Sequence, residues 1–117
     1  MSDAATRAAA LPAYAIGHLR NVLMGPEIVE YLERIDATLA PFGGRFLIHG
    51  GIPETVEGTW DGALVVIAFP DMERVRAWYA SPEYQAILRL RTDRSESTVV
   101  FYEGVPGDHR ATDVLTC

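Results

Sequence analysis

The run Leu64-Val65-Val66-Ile67-Ala68-Phe69 constrains the fold more than any other part of the sequence, because every position in it is apolar. Successive side chains of a strand point to opposite faces of its sheet, so both faces of this strand carry apolar groups. A strand of this kind lies in the centre of a sheet that is covered on both sides. The turn signal Asp61-Gly62 indicates that the strand begins near residue 63.

Three further stretches alternate between apolar and polar or small residues and are predicted to be strands. They are residues 13–21, residues 45–49 and residues 97–103. We expect the second of them to resume over residues 52–60, after a kink at Gly50-Gly51.

The helices are predicted from their starting residues and from apolar side chains at helical spacing. Gly25-Pro26-Glu27 begins the first, since proline suits the first helical position and an acid suits the positive end of a helix. Asp71 and Ser81 are expected to cap two shorter helices that follow one another directly.

This order, βαββαβ, predicts an α+β fold: a ferredoxin-like sandwich with helices on one face of the sheet. The other face is apolar and needs a cover, because soluble proteins rarely expose a large apolar patch. A second copy of the sheet is the simplest cover, so we expect a homodimer that forms a dimeric α/β barrel. The expected organisation is a flexible arm at residues 1–12, the barrel domain at residues 13–104 and an extended tail at residues 105–117.

Composition narrows the possible partners and location of the protein. The net charge is −6 and the basic residues are scattered arginines, so nucleic acid and anionic membranes are not expected partners. The single cysteine cannot form a disulfide within the chain, and no apolar run approaches the roughly 20 residues that span a bilayer. We therefore expect a soluble, cytoplasmic protein.

The candidate catalytic residues are His18 and His49, each of which stands in a predicted strand with an arginine on the same face. If both faces point into the barrel, Arg20 and Arg45 would join them in one pocket. Histidine exchanges protons near neutral pH, and arginine holds a carboxylate or enolate by paired hydrogen bonds. The alternative is structural: the arginines would form salt bridges, for example with Glu57 or Glu103, and the histidines would be satisfied polar groups at strand ends.

Aromatic residues are the candidates for binding a planar substrate. Tyr31, Trp60 and Tyr79 are the expected substrate-binding residues among them, together with Arg20 and Arg45. Trp78 and Tyr84 lie at helical spacing, and we expect them in the core because aromatic side chains dominate burial.

No motif in the sequence indicates a cofactor or a metal. The glycine pairs do not form a phosphate-binding loop, no H-E-x-x-H pattern or carboxylate cluster occurs, and no serine stands in a nucleophile elbow. We expect neither a cofactor nor a metal.

Several of these segments resemble the DUF1330 family of small bacterial dimeric α/β-barrel proteins, from about Tyr14 to Gly104. The shared segments are Gly43-Gly44-Arg45-Phe46-Leu47, Gly50-Gly51, Glu57-Gly58, Phe69-Pro70, Ala77-Trp78-Tyr79-Ala80-Ser81-Pro82-Glu83-Tyr84-Gln85, Leu90-Arg91 and Glu103-Gly104. The resemblance implies a homodimer with a cleft between sheet and helices. Wider relatives of that barrel include cofactor-free monooxygenases, haem-degrading enzymes and isomerases, and the family supplies no catalytic set to transfer.

The leading hypothesis is a homodimer that binds a small aromatic or carboxylated molecule and acts on it as a cofactor-independent oxygenase or isomerase. The competing hypothesis is a non-catalytic dimeric binding or accessory protein. Haem binding is a third possibility, implied by the wider relatives of the barrel.

Overall fold

The computed structural model describes residues 11–116, which form one four-stranded antiparallel sheet with three α-helices. The elements are β1 Ala13–Arg20, α1 Pro26–Leu39, β2 Arg45–Ile48, β3 Ala63–Phe69, α2 Met72–Ala80, α3 Pro82–Thr92 and β4 Glu96–Glu103, with 3-10 turns at Ala40–Phe42 and Ala111–Thr116. The order across the sheet is β2-β3-β1-β4. This α+β arrangement is ferredoxin-like, as expected from the sequence.

The helices begin where the sequence places their caps. Pro26 is the first residue of α1. The carboxylate of Asp71 accepts a hydrogen bond from the backbone N–H of Arg74 at 2.8 Å, and the hydroxyl of Ser81 accepts one from Tyr84 N–H at 3.2 Å. These bonds satisfy N–H groups that have no partner within the helix. Ser81 also donates to the carbonyl of Trp78 at 2.7 Å, so one side chain ends α2 and starts α3.

The two faces of the sheet differ in the size of their side chains. On β1 the small residues Ala13, Ala15 and Gly17 face the helices and are buried, while Ile16 and His18 point to the opposite side. We call that opposite side the open face, because no element among residues 11–116 is stacked on it. The core between the sheet and the helices includes Trp78 and Tyr84, each 2% exposed, which confirms their expected burial.

The prediction of a strand at residues 52–60 is wrong. Residues 49–62, called here the β2–β3 arm, contain no strand. Gly50 and Gly58 have φ values of 79° and 77°, outside the range of a strand, and Pro53 has no N–H to donate to a ladder. Ile52 and Val56 in this arm are 95% and 83% exposed.

Smaller differences occur at other element ends. Strand β1 stops at Arg20 because Asn21 adopts a positive φ of 51°. The expected flexible arm at residues 1–12 lies outside the described residues except for its last two. The tail is not wholly extended: Asp113 accepts a hydrogen bond from Arg110 N–H at 3.0 Å and returns its own N–H to the Arg110 carbonyl at 2.8 Å, which starts the turn Ala111–Thr116.

The close approach of Gly44 to the core gives a prediction about stability. A Cβ atom on Gly44 would lie 2.8 Å from Leu39 Cδ2 and 2.8 Å from Phe69 Cε2, and both of those side chains are buried. We expect Gly44→Ala to lower the free energy of unfolding by about 1–3 kcal/mol, as overpacking does. The measurement is urea unfolding.

The control is Gly51→Ala, where the added Cβ would meet no atom within 4 Å. Its free energy of unfolding should stay within about 0.5 kcal/mol of the wild type. Equal unfolding midpoints for the two variants would contradict the packing described for Gly44.

Candidate functional site

A cavity of about 100 Å³ lies between the sheet and the helices. It exists because Ala15 and Gly17 of β1 leave space under α1. Its lining residues are Ala15, Gly17, Leu19, Val22, Ile28, Tyr31, Leu32, Ile35, Phe46, His49, Val65, Ile67, Trp78, Tyr84, Arg91 and Val99. Most of the wall is apolar or aromatic, which is typical of a small-molecule site.

The polar end of the cavity is a hydrogen-bonded cluster around Arg91, which is only 6% exposed. Its Nε donates to the hydroxyl of Tyr31 at 3.3 Å, Nη2 to the hydroxyl of Tyr84 at 3.3 Å, and Nη1 to the hydroxyl of Ser97 at 2.6 Å. The two phenol oxygens are themselves 2.7 Å apart. We call Tyr31, Tyr84, Arg91 and Ser97 the arginine cluster; it joins α1, α3 and β4.

Burial and charge shift the pKa values within the arginine cluster. Burial raises the pKa of the Tyr31 phenol far above its usual range, the neighbouring Tyr84 raises it further, and Arg91 opposes this only in part. Tyr31 is therefore a neutral hydrogen-bonding group. Burial lowers the pKa of Arg91, but the oxygens of Tyr84 and Tyr31 outweigh that effect and raise it overall, so the guanidinium stays charged.

The aromatic wall next to this cluster is held in a fixed position. Trp78 donates its Nε1–H to the hydroxyl of Thr38 at 2.9 Å, and the Trp78 and Tyr84 rings lie 4.2 Å apart between centroids. Both Trp78 and Thr38 are buried. A ring bound in the cavity would therefore meet a surface that is already organised.

His49 reaches the same cavity from the sheet edge. It follows β2, its ring stacks on Phe46 with 4.4 Å between centroids, and its side chain is partly in solvent. His49 therefore stands where the cavity opens.

His18 lies on the open face, on the other side of the sheet from His49. Its Nε2 contacts the carbonyl oxygen of Asp61, and its ring stacks on Trp60 with 4.6 Å between centroids. Arg20 follows on the same face of β1, and Arg45 of β2 is also on the open face, opposite Ala68.

The expectation that the two histidines and two arginines line one pocket is therefore not met. The register shifts between Phe46 and Ile48, so His49 and Arg45 fall on opposite faces although they are four residues apart. Within residues 11–116, neither Arg20 nor Arg45 forms an ion pair with a carboxylate, so the salt bridges considered for them with Glu57 or Glu103 are also absent.

The aromatic candidates separate in the same way. Tyr31 lines the cavity, Trp60 belongs to the open face, and Tyr79 packs at the edge of the core, with Phe101 at 5.8 Å and Trp78 at 6.1 Å between centroids. Only Tyr31 and His49 of the expected site residues meet in the cavity.

Arg91 was not expected to take part in a site. Its position in the sequence does carry a signal: Tyr84, Ile87 and Arg91 share one helical face, and the first two form the buried side of α3. A cation on the apolar stripe of a helix is a buried cation. Among residues 11–116, no group of three or more His, Cys, Asp or Glu side chains is placed to hold a metal ion.

The raised pKa of Tyr31 predicts how stability changes in alkali. A phenol that stays neutral in the folded chain but ionises near pH 10 when unfolded adds stability that is complete below pH 10 and is lost as the pH rises. Above pH 10 this one group should remove about 1.4 kcal/mol of unfolding free energy for each pH unit.

Tyr31→Phe should remove that contribution to the slope, whatever its effect on stability at pH 8. The matched control is Tyr79→Phe at the edge of the core, outside the arginine cluster and the open face. The measurement is urea unfolding at several values between pH 8 and pH 11.5. Identical slopes for the wild type and Tyr31→Phe would show that Tyr31 ionises in the folded protein.

Comparison with solved structures supports the ferredoxin-like fold. RPA0582 of Rhodopseudomonas palustris aligns with a TM-score of 0.63 at 14% identity, over 90% of this chain and 92% of that one. SnoaB of Streptomyces nogalater, described as a cofactor-independent oxygenase, aligns with a TM-score of 0.57 at 20% identity, over 86% of this chain and 100% of that one.

A third structure, described as a dimeric ferredoxin-like protein of unknown function from Jannaschia sp. CCS1, aligns with a TM-score of 0.59 at 14% identity, over 80% of this chain and 99% of that one. No curated protein matches the sequence significantly. Within residues 11–116 no helix is long and apolar enough to cross a bilayer. The model of the DUF1330 family, a domain of unknown function, matches residues 12–105, and the chain therefore belongs to the DUF1330 family.

Proposed function

We propose that this protein is a homodimer that binds a small planar organic molecule in the cavity between sheet and helices and acts on it without a cofactor. The observation that carries the proposal is the cavity itself, in which aromatic and aliphatic walls surround a few polar groups: His49, Arg91 and the two phenols. Sites for small organic ligands have this composition. The volume of about 100 Å³ suits a ligand built on one ring.

His49 is the residue to which we assign proton transfer. It combines a solvent-facing position with a place on the cavity wall, so it can take a proton from a bound carbon acid and pass it to water. An isomerase would return the proton to another carbon of the substrate, whereas an oxygenase would let the resulting carbanion or enolate reduce dioxygen. The description of SnoaB as a cofactor-independent oxygenase on the same fold favours the second course.

Four of the expected site residues do not enter this cavity: His18, Arg20, Arg45 and Trp60. The catalytic role expected for His18 and the substrate-binding roles expected for the other three apply only to a site on the open face. Tyr79 is likewise outside the cavity wall. Within the proposal, Tyr31 remains a substrate-binding residue, and anion stabilisation passes from Arg20 and Arg45 to Arg91.

The homodimer is supported by the open face. Ile16, Val66 and Val100 stand side by side across β1, β3 and β4 on that face, and Val100 is 40% exposed. Two such sheets stacked face to face would form a dimeric α/β barrel and remove these side chains from water. The Jannaschia relative is described as dimeric, which agrees with this arrangement.

A non-catalytic binding protein is the second candidate function. The same cavity could hold a ligand without changing it, and the solvent exposure of His49 at the sheet edge agrees with a binding role alone. The two candidates differ in whether His49 moves a proton of the bound molecule.

Deuterium exchange tests the proton-transfer role. The probe is 2-indanone, a ketone with one aromatic ring fused to a five-membered ring, whose methylene protons are acidic. It is incubated with the protein in D₂O and followed by NMR. His49→Gln should lower the protein-dependent exchange rate at least about 100-fold, because general-base catalysis contributes that much. His109→Gln, in the tail, is the control and should leave the rate unchanged.

Equal acceleration of the exchange by the wild type and by His49→Gln would contradict the assignment. No acceleration by the wild-type protein would favour the non-catalytic binding function.

Sedimentation tests the homodimer. The wild type should sediment at micromolar concentration with twice the chain mass of 12.9 kDa. Val66→Glu places a carboxylate in the centre of the open face and should raise the dimer dissociation constant at least about 100-fold, or ~3 kcal/mol. Val29→Glu makes the same change on an exposed position of α1 and should leave the dimer intact. A monomeric wild type would contradict the proposal.

A further inference from the structure

We infer that the arginine cluster is a subsite for an organic anion, so that the ligand of the cavity is a one-ring aromatic carboxylate. This inference rests on the proposed function, since it names the chemical class that the cavity would bind. It assigns the charge recognition to Arg91, with the hydroxyls of Tyr31 and Tyr84 beside it.

Arg91 has no countercharge among the described residues, unlike four other arginines of the chain. Arg34, Arg74, Arg89 and Arg94 are on the surface, and each forms an ion pair with a carboxylate. Arg91 is buried, yet within residues 11–116 no carboxylate pairs with it. Removing a charge from water without an opposite charge nearby is strongly unfavourable. An anion that enters the cavity would supply the opposite charge.

The composition of the cavity wall also favours an anion. The chain has 16 acidic residues against 10 basic ones, but no Asp or Glu lines the cavity. The wall carries the positive charge of the Arg91 guanidinium. The cavity is therefore a cationic site inside an acidic protein.

The arginine cluster has more hydrogen-bond donors than acceptors. A guanidinium has five N–H groups. Three of them donate to Tyr31, Tyr84 and Ser97, so two have no acceptor among residues 11–116. The two phenols share one hydrogen bond, which leaves one further O–H proton without an acceptor. A carboxylate offers acceptors only, and its two oxygens match the paired N–H groups of a guanidinium.

The apolar part of the cavity wall favours an aromatic anion. Next to the arginine cluster the cavity is walled by Trp78, Ile67, Val65 and Val99. Inorganic phosphate or sulfate would leave these side chains without contact, whereas a ring joined to a carboxylate fills the apolar part while its charge meets Arg91. Benzoate is the smallest compound with this form.

The test compares benzoate with benzamide, which has the same shape but no charge, by NMR titration of the full-length protein. The wild type should bind benzoate at least about tenfold more tightly than benzamide, since hydrogen bonds between two charged groups are the stronger ones. Arg91→Met should weaken benzoate binding about tenfold or more and leave benzamide binding unchanged. Arg89→Met, the same substitution on the exposed side of α3, should change neither affinity.

Arg91→Lys is the second variant, in case Arg91→Met does not fold. Lysine keeps the positive charge but not the paired N–H groups, so benzoate should bind several-fold more weakly while benzamide is unaffected. An equal loss for both compounds would overturn the anion subsite.

Gly17→Val separates this inference from the proposed function, because it fills the cavity from β1. It should abolish binding of both compounds, while Gly51→Val in the β2–β3 arm should not. If both compounds bind equally to the wild type and Gly17→Val blocks both, the cavity binds ligands but the anion subsite is overturned. If the wild type binds neither compound, the binding function is overturned and the anion subsite with it.

Discussion

The hydrogen bonds of the buried Arg91 guanidinium hold α1, α3 and β4 together at the polar end of the cavity. Tyr31 comes from α1, Tyr84 from α3 and Ser97 from β4, and each accepts one bond from Arg91. Without Arg91 the phenols of Tyr31 and Tyr84 would have only one another as polar partners in the core. The same contacts fix a charged group at the wall of an otherwise apolar cavity, so the part that organises the helices is also the part best suited to recognise a ligand.

The sheet separates two surfaces with different tasks. Small side chains on the helix side of β1 make room for the cavity, and larger ones on the open face provide an apolar surface. A one-residue change of register moves a side chain from one surface to the other. The irregular pairing of β2 does this to His49, which reaches the cavity, while Arg45 remains on the open face.

Much of the fold could be predicted from the sequence because its signals are local. Pro26, Asp71 and Ser81 mark the helix starts by satisfying or removing N–H groups, and the structure agrees at all three positions. The central position of β3 follows from its apolar composition on both faces. The prediction of a strand in the β2–β3 arm was wrong because Gly50 and Gly58 adopt positive φ values there, and the sequence pattern does not show which glycines do so.

The site was harder to predict because it depends on long-range contacts. The helical spacing with Tyr84 and Ile87 indicates that Arg91 is buried, but its hydrogen bond to Tyr31, 60 residues away in the sequence, cannot be read from that spacing. The separation of His18 from His49 depends on the register shift in β2, and no residue type in that strand predicts this shift. Aromatic residues were assigned correctly where helical spacing decided their burial, as for Trp78 and Tyr84.

The proposed function and the anion subsite both require that a ligand binds in the cavity between sheet and helices. Methyl NMR of the isoleucine- and valine-labelled protein during addition of benzoate tests this directly. We expect the largest shift changes at Ile35 and Ile67, whose side chains line the cavity. Changes confined to Ile16 and Val66, which lie on the open face, would contradict the account.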